Sequence, residues 1–402
     1  MGEEVTRSMS PDDQIEVSVR ALLEKYPPAT TDRAEFLAAQ YDAGLTWVHH
    51  PVGRGGLGAD RAAQRRVFAL LTEAGAPNLQ VESRLAYSMG APTVVAWGTT
   101  EQQERHLRAI ATGERWCQLF SEPGAGSDLA AIDTRAVRED GGWRVTGQKV
   151  WTSMATSSRR GMLLARTDPA QPKHRGLTYF ALDLASPGVE IRPLRQMTGE
   201  AEFFEVYLTG VRIPDADRLG PVDGGWKVAM STLMNERDMF GTKATEAGPV
   251  EVALDLYGDL YRRDQQDAGT FRSRMVQLWL RGHVLRLYAA AAARRTGGAP
   301  GPESSVGKIG FAELNKAGYE LCLDLLADDA LQYDTYEPDA LTARPGGGAP
   351  VDARRLFLRS RANSIEGGTT EIMRTILAER VLGLPAEPRV DKDRPYAELR
   401  RG

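Results

Sequence analysis

The chain has 402 residues, too many for one ordinary core, so two or three domains are expected. A hydrophobic content of 42% with 26% charged residues is that of a soluble globular protein, and a formal charge of −4 gives no electrostatic reason to expect nucleic acid. Two cysteines, Cys117 and Cys322, cannot build a disulfide framework, which suits a reducing compartment.

The opening "MGEEVTRSMSPDDQ" is acidic and lacks an apolar core, so no signal peptide is expected. No stretch approaches the apolar length that crosses a bilayer; the expected location is the cytoplasm, with no membrane contact. Up to about Gly113 the pattern is helical. "PDDQIEVSVRALLEKY" places Ile15, Val19, Leu22 and Leu23 on one face, and "ADRAAQRRVFALLTEAG" does the same with Val67, Leu70 and Leu71. "TTEQQERHLRAIATGE" opens on a Thr cap and stops at Gly113.

From Trp116 to about Pro214 short apolar or alternating runs follow one another, including "WCQLF", "GWRVTGQKVWTS", "GMLLART" and "FFEVYL". "EDGG" between Arg138 and Trp143 reads as a hairpin turn. The region is expected to be all-β, without βαβ units.

Helical periodicity returns at Trp226. "GWKVAMSTLMNERDMFG", a segment from Phe271 to Thr296, and "SSVGKIGFAELNKAGYELCLDLLADDAL" read as long helices. A Pro/Gly-rich loop, "DTYEPDALTARPGGGAPVD", precedes two last helices in "LFLRSRANSI" and "TEIMRTILAERVLGLP". The expected domains are residues 1–114 (helical), 115–224 (β) and 225–385 (helical), with 386–402 a loose charged tail.

Several motifs have an ordinary reading that outweighs the functional one. "GRGGLG" at Gly53–Gly58 fits G-x-G-x-x-G, but no strand precedes it and no crossover follows, so a glycine-rich loop is expected. "SVGK" at Ser305–Lys308 lacks the companion motifs of S-x-x-K serine enzymes. The five histidines, His49 and His50 included, make no ligand-spaced set, so no metal is expected.

Two segments are more specific. "FSEPGAGSDLA" from Phe120 is a turn whose backbone N–H groups and hydroxyls suit an anion or a carbonyl-rich ring, and equally a plain β-turn. "GQKVWTS" at Gly147–Ser153 sets a flat aromatic beside two hydroxyls at a strand end, suited to a planar ring or to a core.

These segments, with "EFFEVYLTGVRIP" and "SIEGGTTEIMRTILAERVLGLP" in the same order, resemble the acyl-CoA dehydrogenase family over roughly Gly44–Pro385. The resemblance implies an α+β fold: a helical N-terminal domain, a middle β-barrel domain and a C-terminal four-helix bundle, with FAD between the last two. It implies α,β-dehydrogenation of an acyl thioester, on CoA or a carrier protein, with an electron-transfer flavoprotein as acceptor. A carboxylate takes the α proton and flavin N5 takes the β hydride.

Carried over by motif, Gln118 and Ser121 line the flavin ring. Gly126 and Ser127 belong to the phosphate-side turn, with Ser127 also near the thioester arm. Trp151 and Ser153 cover the ring and its N5 side, and Thr369 and Glu371 contact FAD phosphate or ribose. One branch of the family places its base directly before Gly-Thr, a position held here by Gly367, with Glu366 one residue early. The other takes it from a Glu-Arg pair on the first C-terminal helix, here Glu236-Arg237. Glu236 is therefore the expected base, Arg237 a substrate-side or structural cation, and the Gly367 N–H an enolate donor. Glu366 is expected to be a loop carboxylate paired with Arg361 or Arg374.

Two family segments that reach a neighbouring subunit's FAD have no clear counterpart in "RRDQQDAGTFRSRMVQ" or "TARPGGGAPVD". A homo- or hetero-oligomer, dimer or tetramer, is thus left open. Relatives with this ending often act on branched, cyclic or steroid side-chain thioesters. Competing functions on the same fold are an oxygen-using flavin oxidase or monooxygenase, and a non-catalytic partner subunit.

Overall fold

The computed structural model describes residues 11–243, 248–296, 301–332 and 352–399. The Pro/Gly-rich loop and the "TARPGGGAPVD" stretch lie almost wholly outside the described residues.

Six helices build the N-terminal part: α1 (Pro11–Lys25), α2 (Arg33–Asp42), α3 (Gln64–Glu73), α4 (Leu79–Glu82), α5 (Ala91–Trp97) and α6 (Thr100–Ala111). On α1, Ile15, Val19 and Leu22 are buried, the stripe that 3.6-residue periodicity dictates. Thr99 and Gln102 cap α6 reciprocally, each side chain bonding the other's backbone N–H. "GRGGLG" is a loop: Gly53, Gly55 and Gly58 have positive φ, and a Cβ on Gly56 would sit 2.1 Å from the His50 carbonyl.

Eight strands follow in one sheet: β1 (Trp116–Leu119), β2 (Arg135–Glu139), β3 (Gly142–Ser153), β4 (Arg160–Arg166), β5 (Leu177–Asp183), β6 (Val189–Leu194), β7 (Phe203–Pro214) and β8 (Arg218–Leu219). The order is β6-β7-β3-β2-β4-β5-β8, with β1 beside β4. Most pairs are antiparallel; β1 runs parallel to β4, Gln118 opposite Met162. The "EDGG" hairpin forms with Glu139 opposite Gly142 and Gly141 at φ 70°.

Period-2 alternation sends the strands into two cores. Met162 and Leu164 of β4, with Tyr179 and Ala181 of β5, join Trp47, Tyr87, Leu107 and Trp116 from the N-terminal side and Val228 beyond. Leu163, Ala165, Phe180 and Leu182 pack on the opposite face with Val206, Leu208 and Ile213.

The C-terminal helices are α7 (Gly225–Lys243), α8 (Gly248–Arg263), α9 (Gln265–Thr296) and α10 (Ser304–Leu326), then Ala353–Ser360 and Thr370–Ile376. α8 is a helix that the sequence reading did not single out. α7 leans on the sheet: a Cβ on Gly225 would lie 2.6 Å from the Thr178 backbone, and Thr232 bonds Thr93 at 2.9 Å and Tyr179 at 3.3 Å. Ser305 and Lys308 of "SVGK" are buried within the bundle.

The charged C-terminal segment is docked through residues 391–399, where a loose tail is expected from the sequence. Tyr396 is buried, and its N–H donates to the Gln171 carbonyl at 2.9 Å, as Ala397 N–H does to Pro169. No helix of the described residues is long and apolar enough to cross a membrane.

Candidate functional site

The loop after β1 is held from behind by a buried ion pair. Lys149, inward-facing on β3 and fully buried, donates through Nζ to Glu122 at 2.8 Å and to the Phe120 carbonyl at 3.0 Å. The Glu122 carboxylate also accepts from the N–H groups of Asp133 (2.6 Å) and Thr134 (2.9 Å), so it ties both ends of the loop to β3. Burial pushes the Glu122 carboxyl up, but Lys149 and these donors outweigh it and hold it below its usual range. Outside this clamp, Gly124, Gly126, Ser127 and Asp128 are exposed, and a Cβ added at Gly124 or Gly126 would meet nothing within 4 Å.

β3 then breaks its register with β7. Lys149 pairs with Val206 and Thr152 with Phe204, so the bulged strand carries one residue more than its partner. Trp151 sits in this irregularity at φ 60°, left-handed backbone that a bulky residue adopts only under strain. Its side chain is 57% exposed, braced edge-on by Phe203 at 5.9 Å between centroids. Ser121 adjoins it, since the Val150 N–H donates to the Ser121 carbonyl at 2.9 Å. Ser153 and Gln118 are half-buried.

The C-terminal loop reaches the same place. Arg359 lies over the Phe203 ring at 5.5 Å, donates to Glu202 at 2.7 Å and grips Glu366 with two nitrogens at 2.8 and 3.2 Å. Glu366 therefore pairs with Arg359, not with Arg361 or Arg374: the loop folds back over the helix Ala353–Ser360, where seven residues separate the partners. Asn363 donates to Glu366 at 2.7 Å and accepts from Asn315 of α10 at 3.0 Å. Beyond this anchored acid, Gly367 and Gly368 turn with φ 62° and 92°, and a Cβ on Gly368 would strike the Met373 methyl at 2.4 Å. Thr369 caps the next helix, accepting from Ile372 N–H at 3.2 Å. Exposed Glu371 lies in its first turn, its carboxyl held low by its own N–H and by the Thr369 hydroxyl.

Trp151, Phe203, Arg359, Glu366 and Gly367 thus form one connected line from sheet to bundle. Residues 236 and 237 lie in the backbone of α7, but the side chains of Glu236 and Arg237 fall outside the described ones. α7 packs on α10, which carries Asn315. Among the described residues no cluster of His, Cys, Asp or Glu is placed to hold a metal.

Sequence reasoning missed the Glu122–Lys149 pair and the Arg359 hub. The first left a trace: Lys149 falls on the inward phase of β3 with Trp143 and Val145, where a lysine needs a buried partner.

An exposed, strained aromatic plate beside hydroxyls, next to a turn with open space over its glycines, fits a flat ring system joined to a phosphate. Three family profiles match the chain: acyl-CoA dehydrogenase N-terminal domain over residues 14–114, middle domain over 117–211 and C-terminal domain over 223–382. The chain is 41% identical over 349 residues to "Acyl-CoA dehydrogenase FadE34" of Mycobacterium tuberculosis, covering 86% of this chain but only 45% of that protein. It is 36% identical to "Acyl-CoA dehydrogenase IpdE1" of the same organism, with 86% of each covered. Among solved structures, the ChsE4-ChsE5 complex from Mycobacterium tuberculosis aligns with a TM-score of 0.69 at 27% identity, covering 95% of this chain and 100% of that one.

Proposed function

Because the chain belongs to the acyl-CoA dehydrogenase family, we propose that it catalyses FAD-dependent α,β-dehydrogenation of an acyl thioester, on CoA or a carrier protein, in the cytoplasm. FAD, when bound, supplies the acceptor for the β hydride. The observation that carries the reading is the chain of contacts from Trp151 through Phe203 and Arg359 to Glu366, which links an exposed aromatic plate on the sheet to the glycine turn at Gly367.

In this reading Trp151, Ser153, Ser121 and Gln118 hold and orient the flavin ring. Gly126 and Ser127 offer donors without Cβ obstruction to a phosphate, and Thr369 places a helix N-terminus toward the same charge. Of the two contacts expected for Glu371, ribose is the compatible one, since an ionised carboxylate accepts from a hydroxyl and repels a phosphate.

Removing an α proton needs a partly desolvated base and preorganised donors for the oxyanion. Glu236 is proposed as the base and Arg237 as a substrate-side cation. The Gly367 N–H is proposed as the oxyanion donor, and among the described residues nothing accepts from it. Glu366 is a poor base: Arg359 and Asn363 already occupy both of its oxygens.

An electron-transfer flavoprotein is the proposed acceptor of the electrons. An exposed apolar row on α9, Val276, Leu280, Val284 and Leu287, supports assembly with a like or unlike chain, as does the similarity to a two-chain complex.

The test is anaerobic bleaching of the reconstituted protein by a panel of acyl thioesters, followed by product mass. Glu236→Gln is expected to abolish turnover and Glu366→Gln to retain it. The reverse outcome removes the base assignment, and a chain that takes up no FAD refutes the enzyme reading.

A further inference from the structure

The segment 386–399 carries contacts that the proposed reaction does not use. Lys173, in the loop between β4 and β5, donates to Asp128 at 2.8 Å and 3.0 Å and pairs with Asp391 at 2.5 Å. Arg166, at the end of β4 and 2% exposed, donates to the Ala130 carbonyl at 2.5 Å and the Lys173 carbonyl at 2.9 Å. Its guanidinium plane is roofed by the Tyr396 ring at 3.9 Å. The Tyr396 hydroxyl has one proton to give, to Asp133 Oδ1 at 2.5 Å or to the Ala131 carbonyl at 3.0 Å.

Two cations therefore each grip the loop 122–134 on one side and the C-terminal segment on the other. Lys173 joins Asp128 to Asp391, and Arg166 joins Ala130 to Tyr396. The inner end of this loop is fixed by the Glu122–Lys149 pair, whereas its outer end, which bears Gly126 and Ser127, meets this second clamp at the adjoining Asp128. A neutral coil would not need to bury an arginine; a segment that closes over one can hold the carbonyl it bonds in place, because an uncovered guanidinium would instead turn toward water.

We propose that residues 386–399 are a strap, and that Lys173, Asp391 and Tyr396 are positioning residues that hold the Gly126–Ser127 turn in the shape that receives the diphosphate of the dinucleotide cofactor. The ligand named rests on the function proposed above; the strap itself rests on the contacts. None of the three touches the ligand. They act through Asp128, Ala131 and Asp133, which frame the turn.

The experiment compares the full chain with Asp391→Asn, Tyr396→Phe and a chain ended at Pro385, each checked for native far-UV circular dichroism. Amide hydrogen exchange is followed in peptides covering residues 120–134 and 168–176, and FAD affinity by quenching of flavin fluorescence. The expected result is faster exchange in both peptides and FAD binding about five- to tenfold weaker, the scale of one ordinary net hydrogen bond. Asp391→Glu is expected to restore both. Lower thermal stability with unchanged exchange and affinity would reduce the segment to packing and overturn the proposal; should the truncated chain not fold, the two point variants decide. If the full chain binds no FAD, the proposed function fails, while exchange at 120–134 still tests the strap.

Discussion

Glu122→Gln probes the inner clamp directly. The substitution keeps the side-chain volume and one carbonyl oxygen, so one of the Asp133 and Thr134 N–H groups retains an acceptor. What is lost is the charge facing Lys149, whose ammonium is fully buried and left with neutral oxygens only, the Phe120 carbonyl and the new amide oxygen. Breaking one side of a buried pair in this way is expected to cost about 3–5 kcal/mol. Adding Lys149→Met removes the stranded charge, so the double variant is expected to lie within about 1–2 kcal/mol of the parent, the residue of one unmade hydrogen bond. Urea unfolding followed by tryptophan fluorescence measures both, since Trp143 and Trp151 report on the strand that carries Lys149. A single variant within about 1 kcal/mol of the parent, or a double variant no better than the single, would refute the reasoning. The pair also sets a pH window. The folded Glu122 carboxyl lies below its unfolded value of about 4.5; its stabilisation is therefore fully present above that value and is lost as pH falls through the lower folded one.

Trp151→Gly and Trp151→Ala separate strain from binding. Glycine accepts φ 60° without penalty and is expected to be about 1 kcal/mol more stable than alanine there, while both weaken FAD binding as read by flavin fluorescence; equal stability would deny the strain. Acid sensitivity should centre on the N-terminal part, where burial lowers His49 to about 4 and His50 to about 3 in the loop after α2, and His106 on α6 to about 3. Their folded values lie below the unfolded 6.5, so between the two the unfolded chain holds more protons and stability falls as pH drops. With three such groups the slope approaches about 4 kcal/mol per pH unit near pH 5. Replacing His50 by Gln should remove about a third of it, measured by urea unfolding at pH 7 and 5; an unchanged slope would count against the assignment.

Local periodicity carried much of the architecture. The stripe on α1, the Thr99 cap, the alternating strands and the long helices α7, α9 and α10 all rest on rules spanning a few residues. What stayed hidden rests on distance in sequence. β1 joins β4 in parallel across the hairpin between them, and no local pattern encodes that partner. The bulge that turns Trp151 outward is a property of a pair of strands, not of either one. Glu366 found Arg359 because the loop doubles back, which spacing alone does not predict. The C-terminal segment misled because its charges read as solvated; in place, Asp391 and Tyr396 answer cations on another domain.

That last contact also sets an order in time. Tyr396 and the Ala131 carbonyl it meets are 265 residues apart in the chain. At about 5–20 residues per second of synthesis, the outer end of the loop waits roughly 13–50 s after emerging before its anchor has been made. During that interval the sheet can pair and the Glu122–Lys149 clamp can close, because both partners are already present. If the proposed function and strap hold, cofactor capture by a nascent chain and by a finished one should therefore differ, with early domains folded and the Gly126–Ser127 turn unclamped until translation passes Tyr396.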